Sequence, residues 1–155
     1  MNFYTISTFR EVTSSLVKKP REGYATLVAD ICNELQSMPE NILRDSNERI
    51  IQTAEYRVVK LRVCNSGQKL SKANGFRLVY MVSLVTNDVV LMTIFPKRGA
   101  KGIDNIPNAE YIRLQMELLD ESKAGSLHQV DIANGLTELS QNACLPGDKR
   151  DKITE

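Results

Sequence analysis

Tryptophan is absent from this 155-residue chain, and histidine occurs once, at His128. One histidine with no neighbouring cysteine supplies neither a Ser-His-Asp arrangement nor a His-based metal set. The three cysteines, Cys32, Cys64 and Cys144, are odd in number, widely spaced and without a CxxC pair. They make a poor disulfide framework or zinc site and suit a reducing, cytoplasmic setting. No apolar run reaches the ~18 residues of a membrane span. The opening MNFYTISTFRE has no basic region followed by an apolar stretch, and no secretory signal is read there. GxGxxG, GxxxxGK[ST], DxDxDG and GxSxG are all missing, which removes the common phosphate loops, the calcium loop and the hydrolase elbow.

What is present is an uneven charge. The whole chain carries a net charge of +1. Residues 1–102 hold 15 Lys and Arg against 9 Asp and Glu, whereas residues 103–155 hold 5 against 10. Between 56 and 101 the cations are Arg57, Lys60, Arg62, Lys69, Lys72, Arg77, Lys97, Arg98 and Lys101, against Asp88 alone. A local field of that sign attracts a polyanion whatever the overall balance. The competing reading is a solvated sheet surface whose Lys and Arg protect edges and aid solubility.

Periodicity orders the elements. NFYTIS (2–7) reads as a short strand, and Thr8 with Glu11 as a capping box opening a helix over 9–18. After Pro20, the positions Tyr24, Leu27, Val28, Ile31, Cys32 and Leu35 form an apolar helical stripe. Residues 38–52 read as irregular, with one helical turn. EYRVVKLRV (55–63), FRLVYMVSLV (76–85) and DVVLMTIF (88–95) read as three antiparallel strands, the first two joined by a Gly/Ser/Asn-rich loop. Asn108 is placed to cap a helix carrying Tyr111, Leu114, Leu118 and Leu119. The expected fold is α+β, in the order β-α-α-β-β-β-α. The expected domain covers 1–123, and 124–155 is an extension, partly helical and then disordered.

Carboxylates are scarce in the strand segments, which argues against two-carboxylate and Mg²⁺-dependent cleavage. Metal-free RNA cleavage needs a base for the 2′-hydroxyl, positive groups around the phosphate and a donor for the leaving 5′ oxygen. Lys60, Arg62, Arg77, Lys97, Arg98 and Lys101 come from three neighbouring strands and their ends, so one basic sheet surface is expected. No cofactor and no metal are called for.

YRVVKLR (56–62), NGFRLVY (74–80) and VVLMTIFPKRG (89–99) resemble, in this order, the three sheet segments of the RelE/ParE/HigB toxin superfamily. The resemblance covers about residues 3–120. It implies a toxin held by a cognate antitoxin, and for RelE-like members mRNA cleavage on the ribosome without metal, leaving a 2′,3′-cyclic phosphate. It further implies that Arg77 stabilises the phosphate, that Arg98 assists the leaving group, and that Lys60 belongs to the general-base region with Lys97 as its basic neighbour. Arg57, Arg62, Lys69, Lys72 and Lys101 then contact RNA. Two positions depart from the pattern. Val58 stands where a second lysine is expected, and GAKGIDNIP holds no tyrosine; the nearest, Tyr111, has helical core spacing. A HigB-like site, a ParE-like gyrase inhibitor and a non-catalytic binding member of the same fold all remain open.

Overall fold

The computed structural model describes residues 1–45 and 47–146. Its elements are β1 (Phe3–Thr5), α1 (Ser7–Val17), α2 (Leu27–Ser37), α3 (Glu40–Asp45), β2 (Glu48–Gln52), β3 (Tyr56–Val63), β4 (Phe76–Ser83), β5 (Val89–Pro96), α4 (Asn108–Ala124), β6 (Leu127–Asp131) and β7 (Thr137–Ala143). The strands form one sheet in the order β2-β3-β4-β5-β1-β6-β7. Every pairing is antiparallel except β1 with β5. The fold is therefore α+β, four helices with a seven-stranded and mostly antiparallel sheet, and it departs from the expected β-α-α-β-β-β-α order by helix α3, strand β2 and a two-stranded addition after α4.

Burial on both sides of the sheet explains the near-continuous apolar runs of β4 and β5, whose residues 76–82 and 89–96 are all buried. Side chains alternate across a strand, and directly paired residues share a face. One face therefore carries Arg57, Val59, Leu61 and Val63 of β3 with Val82, Tyr80, Leu78 and Phe76 of β4. Helices α1, α2 and α3 lie on this side: Tyr24, just before α2, meets Phe76 edge-on at 6.0 Å, and Tyr80 donates to the carbonyl of Leu43 in α3. The opposite face carries Tyr56, Val58, Lys60 and Arg62 with Ser83, Met81, Val79 and Arg77. Helix α4 covers part of it, and the Tyr56 hydroxyl donates to Gln115 Oε1 at 2.8 Å.

Besides Asn108, which is the first residue of α4 behind Pro107 rather than its side-chain cap, three expectations are corrected. The capping box is not formed: α1 starts at Ser7, and the exposed Glu11 takes no part. Instead α4 supplies the carboxylates, with Ser7 N donating to Glu121 at 3.2 Å and Thr8 N to Glu117 at 2.8 Å. The unsatisfied donors and positive end of a helix favour acids from any source, and these come from over a hundred residues away. Second, residues 38–52 hold the expected helical turn as α3, but the remainder is not irregular, since it includes the strand β2. Third, the extension is a β-hairpin whose one helical piece is the short 3₁₀ turn Ile132–Asn134. Asn134–Gly135 is a tight-turn dipeptide, and Gly135 and Leu136 both have positive φ (66° and 62°), which no helix tolerates. The turn sends β7 back along β6, and Leu127 and Val130 close the core beside β1. The expected disordered tail begins at Cys144; residues 144–146 are described, and 147–155 lie outside the described residues.

The two α4 carboxylates differ. Burial opposes ionisation of Glu117, but hydrogen bonds from Thr8 and Arg113 outweigh it and hold its pKa below the ordinary carboxylate value. Burial, reinforced by Glu117 and opposed by Ser7, raises that of Glu121. Glu117 thus contributes stability above the ordinary carboxylate pKa, lost as pH falls through its own lower one. Glu121 penalises the folded state until pH falls through its raised pKa. Glu117→Gln is expected to cost about 1 kcal/mol at neutral pH. The gap to the unsubstituted protein should close below the pKa of Glu117, as urea denaturation at pH 7 and in acid would show.

Candidate functional site: a basic cleft at the β3 edge

Strand β2 begins at Glu48, opposite Lys60, so the edge of β3 beyond Lys60 has no partner strand. A cleft of about 230 Å³ opens there, lined by Glu34, Met38, Asn47, Glu48, Lys60, Leu61, Arg62, Lys72 and Arg77. Four of the nine expected cations meet in it.

Register sets the cluster. Arg62 of β3 lies directly opposite Arg77 of β4, and Lys60 is two residues from Arg62 on the same face. Like charges facing each other across a strand pair are destabilising, so this arrangement is unfavourable without an anion. Lys60 is eased by Glu48, with Nζ 3.6 Å from its carboxylate. Lys72 pairs with Glu34 at 2.8 Å. Exposed Arg62 forms no hydrogen bond or ion pair among the described residues.

Arg77 is held differently. It is 6% exposed, and its guanidinium donates to the carbonyls of Lys72 (2.9 Å), Phe76 (3.1 Å) and Ala73 (2.9 Å). Three of its five N–H donors therefore brace the loop before β4, and two remain. Burial first, and the Arg62 charge second, lower its pKa.

The remaining candidates lie elsewhere. β4 and β5 pair as expected, with Arg77 opposite Phe95 and Lys97 N donating to Gly75 O at 2.8 Å. However, Arg77 turns into the cleft, while Lys97 and Arg98 belong to the loop after β5. Lys97 Nζ donates to the Asp104 carbonyl at 2.8 Å, and Arg98 grips Asn74 Oδ1 at 3.0 and 2.8 Å. Neither lines the cleft. The two sites are joined through the 72–75 loop, which Arg77 braces and Arg98 holds by Asn74. Lys69 and Lys101 are exposed loop residues, Lys69 at a positive φ of 54° and Lys101 with its backbone N–H on the Tyr24 hydroxyl. Arg57 points to the opposite face, onto Asp45 and the Arg44 carbonyl.

Of two residues coupled electrostatically to the cluster, Glu48 was not singled out in the sequence, while Tyr111 was weighed there and set aside. Glu48 sits in the stretch read as irregular, where the adjacent Ile50 and Ile51 were the signal of a short strand. Tyr111 was read as core and is indeed buried, on the helix that covers this same face. Its hydroxyl donates to Asn105 Oδ1 at 3.0 Å. Burial, and then the negative charge of Glu48, raise its pKa, which makes the phenol a weaker acid. Glu48 also acts electrostatically on Arg77, so one exposed carboxylate is linked to the amine, the guanidinium and the phenol. Among the described residues no group of His, Cys, Asp and Glu is arranged to hold a metal ion.

Comparison with protein-family models, curated proteins and solved structures finds no match.

Proposed function

We propose that the β3-edge cleft binds an RNA phosphodiester, and that the protein is a RelE-like or HigB-like toxin that cleaves mRNA on the ribosome without a metal and is neutralised by a cognate antitoxin. The observation that carries this reading is the placement of Arg62 opposite Arg77, two residues from Lys60, with Arg62 uncommitted. A phosphate oxygen is the ligand that turns this repulsion into attraction, and an arginine fork suits it.

The parts fit a balanced transfer. Glu48, beside Lys60, takes the proton of the 2′-hydroxyl, and the 2′ oxygen attacks phosphorus. Arg62 and the two spare donors of Arg77 stabilise the charge gathering on the phosphate. The P–O5′ bond breaks, and a proton from solvent completes the leaving 5′-hydroxyl, leaving a 2′,3′-cyclic phosphate. Lys69, Lys72, Arg98 and Lys101 would contact the flanking backbone. No helix among the described residues is long and apolar enough to cross a membrane.

A second reading rests on Arg77. With three donors committed to carbonyls, it favours a member that binds RNA without cutting it. Mapping transcript 5′ ends after induction separates the two. New ends are expected with the unsubstituted chain and a fall of about 100-fold with Glu48→Gln, the range seen when a general base is removed. Growth arrest with intact transcripts in both would overturn the nuclease reading in favour of gyrase inhibition. RNA retention with no cleavage would leave binding alone.

A further inference from the structure

Arg98 is exposed and does not line the cleft, yet its side chain is committed. Nε and Nη2 both donate to Asn74 Oδ1, at 3.0 and 2.8 Å. Its backbone is fixed from the core. The hydroxyl of buried Tyr24 donates to Arg98 O and accepts from Lys101 N, each at 2.9 Å. At Gly99, where φ is 89°, a Cβ would lie 2.6 Å from that hydroxyl, so the turn sits directly against it. Arg98 thus reaches Asn74 from a fixed base.

The loop it grips matters to the cleft. Residues 71–73 are exposed and owe their position to hydrogen bonds rather than to packing. Asn74 N closes a turn onto Ser71 O at 3.0 Å, and the Asn74 carboxamide ends in the Arg98 fork. The same loop offers the carbonyls of Lys72 and Ala73 to the Arg77 guanidinium. It also carries the Lys72 side chain, which meets Glu34 in the cleft. Two of the four cations lining the cleft, Lys72 and Arg77, therefore take their place from this loop.

We propose that Arg98 is a positioning residue of the cleft: by holding Asn74 it fixes the 72–75 loop, and the loop fixes Lys72 and Arg77 against the phosphate. This rests on the reading of the cleft as an RNA-cleaving site. The charge of Arg98 is secondary in this role. What counts is the planar fork, which lysine does not reproduce. Any contact of Arg98 with the flanking RNA backbone is additional, and Arg98→Lys separates the two by keeping the charge.

Cleavage kinetics of Arg98→Lys, Asn74→Ala and the double variant test it, together with the ¹⁵N signal of the Arg77 side chain in the free protein. Arg98→Lys is expected to lower kcat about tenfold, the kind of loss that follows a small misplacement of a catalytic group. Its KM and melting temperature should stay unchanged. Asn74→Ala should do the same, although Asn74 carries no charge and does not line the cleft. The double variant should be no slower than either single one, since both remove one contact. The Arg77 signal should move in all three. Full activity in Arg98→Lys, losses that add in the double variant, or an Arg77 signal that stays in place would each overturn the proposal. Absence of cleavage by the unsubstituted chain would overturn the nuclease reading instead, and the Arg77 signal would still decide the positioning role.

Discussion

Arg62→Ala is expected to reduce RNA cleavage by about 100-fold while leaving the melting temperature unchanged, the range found for removing one donor to a charged transition state. Arg62 is exposed and has no hydrogen bond or ion pair among the described residues, so nothing in the fold depends on it. Surface changes of that kind stay within about 0.5 kcal/mol. Removing a charge that faces Arg77 offsets part of even that cost. Anisotropy with a short RNA should show weaker binding, and the salt dependence should fall by about one counterion. Arg62→Lys keeps the charge but loses the planar fork, so binding should recover more than cleavage. Equal binding and equal cleavage in the alanine variant would remove the cleft as the site. Arg77→Ala is a poorer probe: it strips three loop carbonyls of their donor, so lost activity would not separate catalysis from folding.

The second large effect is on stability. Gly75→Ala is expected to cost about 3 kcal/mol, or roughly 10 °C in melting temperature. A Cβ at Gly75 would lie 2.1 Å from Val63 O and 2.8 Å from Asn65 N. Both are backbone atoms of the β3 end and its exit, and neither has a rotamer to move away. The backbone must separate at the place where Gly75 O also accepts from Lys97 N. Gly135 is the useful contrast. A Cβ there meets nothing within 4 Å, and only its φ of 66° resists alanine, at about 1 kcal/mol. If thermal melts rank the two variants the other way, the close approach of β3 and β4 at Gly75 is wrong. Because Val63 and Phe76 adjoin Arg62 and Arg77, Gly75→Ala should also lower RNA binding at temperatures where the chain remains folded.

The strongest periodic signals survived into the structure because local pattern and burial agree there. The stripe of Tyr24, Leu27, Ile31, Cys32 and Leu35 is buried, and so are the runs of β4 and β5. Weak signals were decided by contacts distant in sequence. β2 carries only the brief signal of Ile50 and Ile51, and it becomes a strand by pairing with β3. The 127–143 hairpin exists because β1 offers a free edge and the core needs Leu127 and Val130. The same hairpin extends the sheet at β1, on the far side of β5 from the basic cleft. The 127–143 hairpin therefore does not lie over the cations.

By itself the sequence determined the α+β class, the β3-β4-β5 meander and the presence of a concentrated positive charge, since each follows from local composition and alternation. Only the tertiary structure decided which cations meet. Register set Arg62 against Arg77 and sent Arg57 to the other face, while loop hydrogen bonds drew Lys97 and Arg98 away from the cleft. Glu48 reached the cluster from a segment with no mark of function. Proximity across a sheet depends on strand order and register, and no linear spacing encodes those.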